Sequence, residues 1–153
     1  MKSNLLILLF SCLLAAFSTN GNSTLPNPIQ DDISLWQLVS IKGRTIQYAD
    51  EQQPITLQIN TESNTISGHS GCNNYFANYR LGKPCSSKEL PYLQHISISQ
   101  INSTKMVCPD NFMQLEQKYL PLLEKANRIQ MTDDELILYQ NNKEILRYDH
   151  LVR

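Results

Sequence analysis

The chain has 153 residues, and its charge is nearly balanced, with 13 lysines and arginines against 14 aspartates and glutamates. Such a balance lacks the basic footprint that nucleic acids and anionic membranes attract, so the composition disfavours both as partners. Beyond an N-terminal apolar run, no stretch is long and apolar enough to span a bilayer. We expect one domain with a single core, about 130 residues long after N-terminal processing, and a monomer.

The N-terminus has the features of a secretory signal. An apolar run at residues 5–17 is too short to span a bilayer comfortably, and a small-residue cleavage signature lies at residues 16–18. We expect residues 1–18 to be a signal peptide and residues 19–32, which are polar and contain prolines, to be a flexible leader. The domain would then occupy residues 33–150 and be periplasmic or secreted. Acylation of Cys12 by a lipoprotein signal is a less favoured alternative.

Most elements after the leader are predicted to be short strands. Residues 55–59 alternate strictly between apolar and polar, which is typical of a half-buried antiparallel strand. The predicted strands are 33–41, 45–48, 55–59, 65–68, 75–81, one or two within 90–101, 128–131, 136–139 and 145–148. Turn-forming residues separate them. We expect a loop at residues 82–89.

Residues 109–126 are the one predicted helix, because apolar side chains recur there at helical spacing. Pro109 suits the first helical position, and Asp110 favours the N-terminal end of the helix dipole. Pro121 is expected to kink the helix or to shorten it near Tyr119, since its ring removes a donor and crowds the preceding turn. About eight strands and one helix predict a mainly β (α+β) fold, a small antiparallel barrel with the helix packed on one side.

Three cysteines remain after the predicted processing: Cys72, Cys85 and Cys108. An exported protein with three thiols is expected to hold one disulfide and one free thiol. Three pairings are available, and the composition does not choose among them.

The densest group of chemically versatile residues is the stretch ISGHSGCNNYF, residues 66–76. His69 and Cys72 are spaced as H-x-x-C, but structural zinc sites normally show paired ligands such as C-x-x-C, which are absent. Cys72 could form a thiolate pair with His69, His95 or His150. However, export would tend to oxidise such a thiol, and no motif marks an acid or amide partner.

The favoured interpretation of this stretch is structural. Gly68 and Gly71 permit backbone conformations that other residues avoid, so a strand can bend sharply or bulge there. Asn73 can bond to nearby backbone groups, as short amide side chains do in turns. We predict no catalytic residue, no cofactor and no metal site. His69 is expected at the surface and has no assigned role.

Two separated motifs resemble a known family, the META domain or HslJ-like heat-shock proteins. Residues 68–79, GHSGCNNYFANY, are similar to the family pattern G-x-x-G-C-N-x-(aromatic)-x-G-x-Y, with Asn78 in place of a favoured glycine. Residues 104–109, TKMVCP, followed by Glu116 and YLPLL at residues 119–123, resemble its T-x-M-A-C-x…E-x-x-(F/Y)-L-x-x-L. The motif positions that this resemblance marks as structural are Gly68, Gly71, Asn73, Tyr79, Met106, Pro109 and Glu116.

The resemblance implies a compact, lipocalin-like β-barrel with one helix, and it brings no catalytic residues. It also implies that the two motif cysteines, Cys72 and Cys108, form the disulfide, which leaves Cys85 as the free thiol. A pairing of Cys72 with Cys85 is the alternative. Members of the family are small exported or envelope-associated proteins linked to heat shock, drug tolerance, motility and virulence.

Three functions are therefore weighed. The first is a non-enzymatic exported protein linked to envelope stress, drug tolerance or virulence. The second is a small-molecule carrier that uses the barrel interior. Inward-facing aromatic residues are expected to fill that interior, which disfavours a carrier. The third is a secreted inhibitor or effector that presents a loop, such as 82–89, to a partner protein. The inward-facing aromatic residues are predicted to be Trp36, Tyr75, Phe76, Phe112 and Tyr119.

Overall fold

The structure is a computed structural model that describes residues 33–85 and 92–151. The predicted signal peptide and leader and the end of the predicted loop, including Cys12 and residues 86–89, lie outside the described residues. The strands are β1 (Ile33–Ile41), β2 (Arg44–Thr45), β3 (Thr56–Asn60), β4 (Thr65–His69), β5 (Asn74–Pro84), β6 (Leu93–Ser103), β7 (Arg128–Met131), β8 (Glu135–Gln140) and β9 (Lys143–His150). The helix, α1, is Asp110–Lys125 and lies between β6 and β7.

Eight strands close into an antiparallel barrel. From β3 to β9, each strand pairs with its neighbour in the chain, and β1 joins the two ends of the sheet. Trp36 on β1 lies opposite Leu57 on β3, and Leu38 on β1 lies opposite Tyr148 on β9. The two-residue strand β2 pairs with the end of β1 and does not take part in the closure. The predicted fold class, a mainly β barrel with one helix, is confirmed.

Alternation of the side chains decides which face of each strand enters the core. In β3, Leu57 and Ile59 are buried between half-buried neighbours, as the strict alternation at residues 55–59 predicts. In β5, Tyr75 and Ala77 are buried, whereas the side chain of Phe76 is 57% exposed. The prediction that Phe76 points inward is therefore wrong, because neighbouring residues of one strand face opposite sides of the sheet.

The helix is close to its predicted bounds, with two differences. Pro109 is the N-cap rather than the first helical residue, and its carbonyl accepts the N–H of Phe112. Phe112 itself is only half-buried. Pro121 does not shorten the helix, which continues to Lys125. A proline costs an interior helix position about 3 kcal/mol, and burial of the following Leu122 and Leu123 offsets this by about 1.5–3 kcal/mol each.

Among the described residues, α1 included, no helix has the length and apolarity needed to cross a bilayer.

Three predicted boundaries are wrong. Residues 82–84, which were expected in a loop, continue β5 to Pro84. Residues 93–103 form one strand of 11 residues, whereas one or two short strands within residues 90–101 were expected. The extended stretch expected at 45–48 is reduced to the short β2. Glycine at position 82 permits the first difference, because an added Cβ there would lie 2.9 Å from the Cβ of His95 on β6.

A chain of tyrosine hydroxyls crosses the barrel core. The hydroxyl of Tyr148 donates to that of Tyr119 at 3.1 Å, and the hydroxyls of Tyr119 and Tyr75 lie 2.7 Å apart. Tyr75 donates to the carbonyl of Thr56 at 3.0 Å. Because a carbonyl can only accept, the donors run from Tyr148 through Tyr119 and Tyr75 to Thr56. The barrel core is therefore filled by side chains whose hydroxyl groups form hydrogen bonds with one another.

Ionisation of these phenols is predicted to unfold the protein. Burial raises the pKa of Tyr75, Tyr119 and Tyr148 well above the ordinary value, and it raises the pKa of Tyr48 to about 12. Unfolded phenols lose their protons first, so stability is intact below about pH 10 and falls as the pH rises further. Each buried phenol contributes a slope of up to about 1.4 kcal/mol per pH unit.

Ultraviolet absorbance of tyrosinate, recorded together with circular dichroism during an alkaline titration, measures this coupling. We expect the buried phenols to ionise only as the fold is lost. Reversible ionisation of all seven tyrosines near pH 10 with the fold intact would contradict the prediction.

Candidate functional site

Residues 68–73, here called the corner, turn the chain from β4 into β5. A Cβ on Gly68 would lie 2.1 Å from the carbonyl oxygen of Thr56, so only glycine lets β4 approach β3 this closely. Gly71 has a φ of +99°, a conformation that L side chains rarely adopt. The same Thr56 carbonyl accepts the hydroxyl of Tyr75. The absence of a side chain at Gly68 therefore makes room for the end of the tyrosine chain.

His69 and Ser70 fix the backbone of the corner. The Nδ1 atom of His69 accepts the N–H of Gly71 at 3.2 Å, and the backbone N–H of His69 donates to Oγ1 of Thr56. The N–H of Ser70 donates to the carbonyl of Asn73 at 2.7 Å. His69 is half-buried, so the expectation of a surface residue is only partly met. Its contacts give it a role in the turn that the sequence did not indicate.

The side chain of Asn73 uses all of its donors and acceptors. It is 4% exposed. Its Nδ2 donates to Oε1 of Glu116 at 3.0 Å and lies 3.3 Å from Sγ of Cys72. Its Oδ1 accepts the hydroxyl of Thr104 at 2.8 Å and the N–H of Met106 at 2.7 Å. One amide therefore joins the corner to the helix and to the segment between β6 and α1.

Glu116 brings the helix to the same point. Its Oε2 accepts the N–H of Asn73 at 2.9 Å and also bonds to the hydroxyl of Ser70, which is fully buried. With the amide bond to Oε1, three donors face one carboxylate. Hydrogen bonds to a charged acceptor are stronger than neutral ones, about 1.5–3 kcal/mol each. Glu116 thus fixes α1 against the corner.

The structure pairs Cys72 with Cys108, with Cα atoms 5.9 Å apart and 36 positions apart in the sequence. A loop of this length corresponds to about 4 kcal/mol of stabilisation in the chain-entropy model. Cys85 is free and half-buried, and it packs against a second cluster formed by Leu93, Ile137 and Tyr139. The alternative pairing of Cys72 with Cys85 is wrong, because Cys72 is bonded to Cys108 and Cys85 is free.

Residues 104–109, here called the apolar loop, connect β6 to α1 and expose two large apolar side chains. Val107 is 92% exposed and Met106 is 60% exposed. Two hydrogen bonds and the disulfide hold the backbone around them. The N–H of Met106 donates to Oδ1 of Asn73, and the N–H of Thr104 donates to the carbonyl of Asn74. The disulfide fixes the loop at Cys108. The loop therefore combines a fixed backbone with exposed apolar side chains.

Most of the motif residues converge on this site, and two do not. Tyr79 is buried in the core, where burial raises its pKa, and its N–H donates to Asn64. Pro109 is the last residue of the apolar loop and the N-cap of the helix, and it makes none of the bonds to Asn73 or Glu116. Sequence reasoning missed Ser70 and Thr104, whose hydroxyls complete the bonding around Asn73 and Glu116. Thr104 lies inside the second motif and could have been found there.

The chemistry of the site follows from these contacts. Cys72 carries no thiol, because its sulfur is in the disulfide. The carboxylate of Glu116 is occupied by three donors, and both polar ends of the Asn73 amide are in use. Within residues 33–85 and 92–151, no three side chains suited to metal binding come together. The arrangement is well suited to hold a loop in one shape.

Comparisons with known proteins agree with this architecture. The META domain profile matches residues 31–151, so the chain belongs to the META domain family. The solved structures that resemble it include the NMR structure of a protein from Burkholderia xenovorans, with 28% identity, a TM-score of 0.58, and coverage of 83% of this chain and 90% of that one. A second NMR structure, at 21% identity and a TM-score of 0.56, covers 80% of this chain and 92% of that one and shares the fold. No functionally curated protein matches the chain significantly.

Replacing the carboxylate of Glu116 is predicted to destabilise the fold. In Glu116→Gln the new NH₂ group must face a donor, either the N–H of Asn73 or its Nδ2. Rotating the Asn73 amide by 180° would not relieve this, because its Oδ1 would lose the hydrogen bonds from Thr104 and Met106. We expect the free energy of unfolding to fall by about 1–3 kcal/mol, measured by urea denaturation.

Glu124→Gln is the matched control, since Glu124 is exposed on the same helix. Its effect should stay within about 0.5 kcal/mol. Equal effects of the two substitutions would show that the bonds to Glu116 add nothing to stability.

Proposed function

We propose that this META-domain protein is exported and acts as a non-enzymatic binding protein that docks a partner protein on the apolar loop. The observation that carries the proposal is the exposure of Met106 and Val107 on a backbone held by Asn73 and the disulfide. An ordinary mobile loop would lose conformational entropy when it binds, whereas this loop has already been ordered by folding. The exposed apolar surface of the loop then contributes to affinity with little loss of conformational entropy.

The apolar loop fits a protein partner better than the barrel interior fits a small molecule. Methionine is enriched at protein interfaces, and exposed apolar groups on a fixed scaffold often mark them. In the interior, Tyr119 and Tyr148 are fully buried and bonded to each other. Those side chains occupy the space that an internal ligand would need. The loop presentation first considered for residues 82–89 is therefore assigned to residues 104–109.

Export supports the same function. A disulfide such as Cys72–Cys108 persists in oxidising compartments and is rare in the cytosol. The N-terminal residues 1–18 read as a secretory signal. We place the protein in the periplasm or outside the cell, in the setting of envelope stress, drug tolerance or virulence that the family resemblance implies. The partner would then be an envelope or extracellular protein.

Photo-cross-linking from position 107 tests the docking surface. A photoreactive amino acid at Val107 should give a discrete adduct in envelope or extracellular fractions, and the same amino acid at the exposed turn residue Asp133 should not. Unlabelled protein should compete for the partner and lower the yield of the adduct. A Met106→Asp, Val107→Asp variant should need at least about tenfold higher concentration for the same competition. In the same samples, a mature chain that begins near Thr19 with Cys72 and Cys108 oxidised would support export.

The proposal fails if the adducts from positions 107 and 133 are the same, or if the aspartate variant competes as well as the unaltered protein. Both changed side chains are exposed, so the variant is expected to keep its fold. A full-length reduced chain that stays in the cytoplasm would contradict export.

A further inference from the structure

A groove lies between the β1–β2 turn and the helix, and none of the residues that line it belongs to the corner. Its volume is about 720 Å³, within the range of roughly 300–1,000 Å³ that small-molecule sites occupy. Apolar side chains from the strand side and from the helix line most of it, together with three cations.

The floor and walls of the groove are apolar. Ile41 and Ile46 rise from the strand side, and Leu115 and Leu122 face them from the helix. All four pack on the barrel core or belong to it. Pro121 completes the helix wall with a ring that has no N–H to offer. A hydrocarbon chain lying here would contact carbon on both sides.

Three cations surround this apolar floor: Lys42, Arg44 and Lys118. None of them has a salt bridge or a side-chain hydrogen bond within the described part of the chain, and no acidic side chain is among the described residues that line the groove. The whole chain carries a net charge of −1, so three unpaired cations around one groove depart from its average. The groove is complementary to a ligand with a negative head and an apolar body.

Local backbone geometry fixes the backbone from which two of these cations extend. Lys42 and Gly43 have φ values of +50° and +74°, the pattern of a tight two-residue hairpin turn. The N–H of Lys42 donates to the carbonyl of Ile145 on β9 at 2.9 Å, which ties the turn to the barrel. Arg44 follows at once in β2. The turn therefore holds Lys42 and Arg44 on the side of the groove opposite Lys118.

We propose that this groove binds a free single-chain anionic amphiphile of the fatty-acid class. The apolar body lies on Ile41, Leu115 and Leu122, and the carboxylate sits among the three cations. The site is separate from the apolar loop and from the packed barrel interior. Binding there adds a small-molecule ligand to the protein docking proposed above and does not depend on it.

Titration with sodium dodecanoate below its micelle concentration tests this site, using the full chain as the expressing cell processes it. Two-dimensional amide NMR should show saturable shifts confined to residues 41–46 and 115–122. Octanoate should bind at least about tenfold more weakly, because it buries fewer methylenes. Dodecyltrimethylammonium, with the same chain and a positive head, should not bind the groove.

Charge variants separate the groove from general surface charge. Arg44→Gln, Lys118→Gln should weaken dodecanoate binding by at least about tenfold, since each lost cation removes an attraction to the carboxylate. Arg80→Gln, Lys83→Gln is the matched control: it removes the same charge from exposed residues that do not line the groove. That control should bind as the unaltered protein does.

Several results would overturn the proposal. Shifts outside the groove, equal binding by the two charge variants, or equal binding of the cationic amphiphile would each do so. Binding to anionic vesicles without binding to monomeric dodecanoate would assign the cations to a membrane surface instead. Shifts in the groove that appear on concentrating the protein alone would assign it to a second copy of the chain.

Discussion

One buried amide, that of Asn73, joins the corner to the apolar loop and to the helix, both of which lie more than 30 positions further along the chain. It bonds to Glu116 on the helix, to Thr104 and Met106 in the apolar loop, and it lies beside the Cys72 sulfur. A buried polar group that loses its partner costs about 1–3 kcal/mol, so each contact depends on the others remaining in place. The disulfide joins the corner to the apolar loop and limits how far these two segments can separate.

The barrel core and this amide are connected through β4 and β5. Because Gly68 has no Cβ, the Thr56 carbonyl is free to accept the hydroxyl of Tyr75, which continues to Tyr119 on the helix. The helix is therefore attached twice, by Glu116 at the corner and by Tyr119 in the core. Two attachments on one side of α1 fix its rotation. They also fix the wall of the groove that the helix forms.

Local patterns predicted much of this fold, and long-range contacts supplied the rest. Alternation at residues 55–59 and helical spacing at residues 109–126 report on neighbours in the sequence, so those elements were predicted well. The bond between Asn73 and Glu116 spans 43 positions, and no local rule places those side chains together. The shortening expected at Pro121 is wrong, because the burial that compensates the proline depends on the barrel. The groove was missed for the same reason, since its two walls meet only after folding.

Both proposed binding surfaces depend on parts of the chain that the corner and the hairpin turn hold still. The central claim is that the apolar loop is ordered by Asn73 before any partner arrives. Amide hydrogen exchange at Met106 tests it most directly, because this N–H donates to Asn73 at 2.7 Å. We predict protection close to that of the β5 amides in the free protein, lost in Asn73→Ala. Exchange at Met106 as fast as at the exposed turn residue Asn142 would contradict the account.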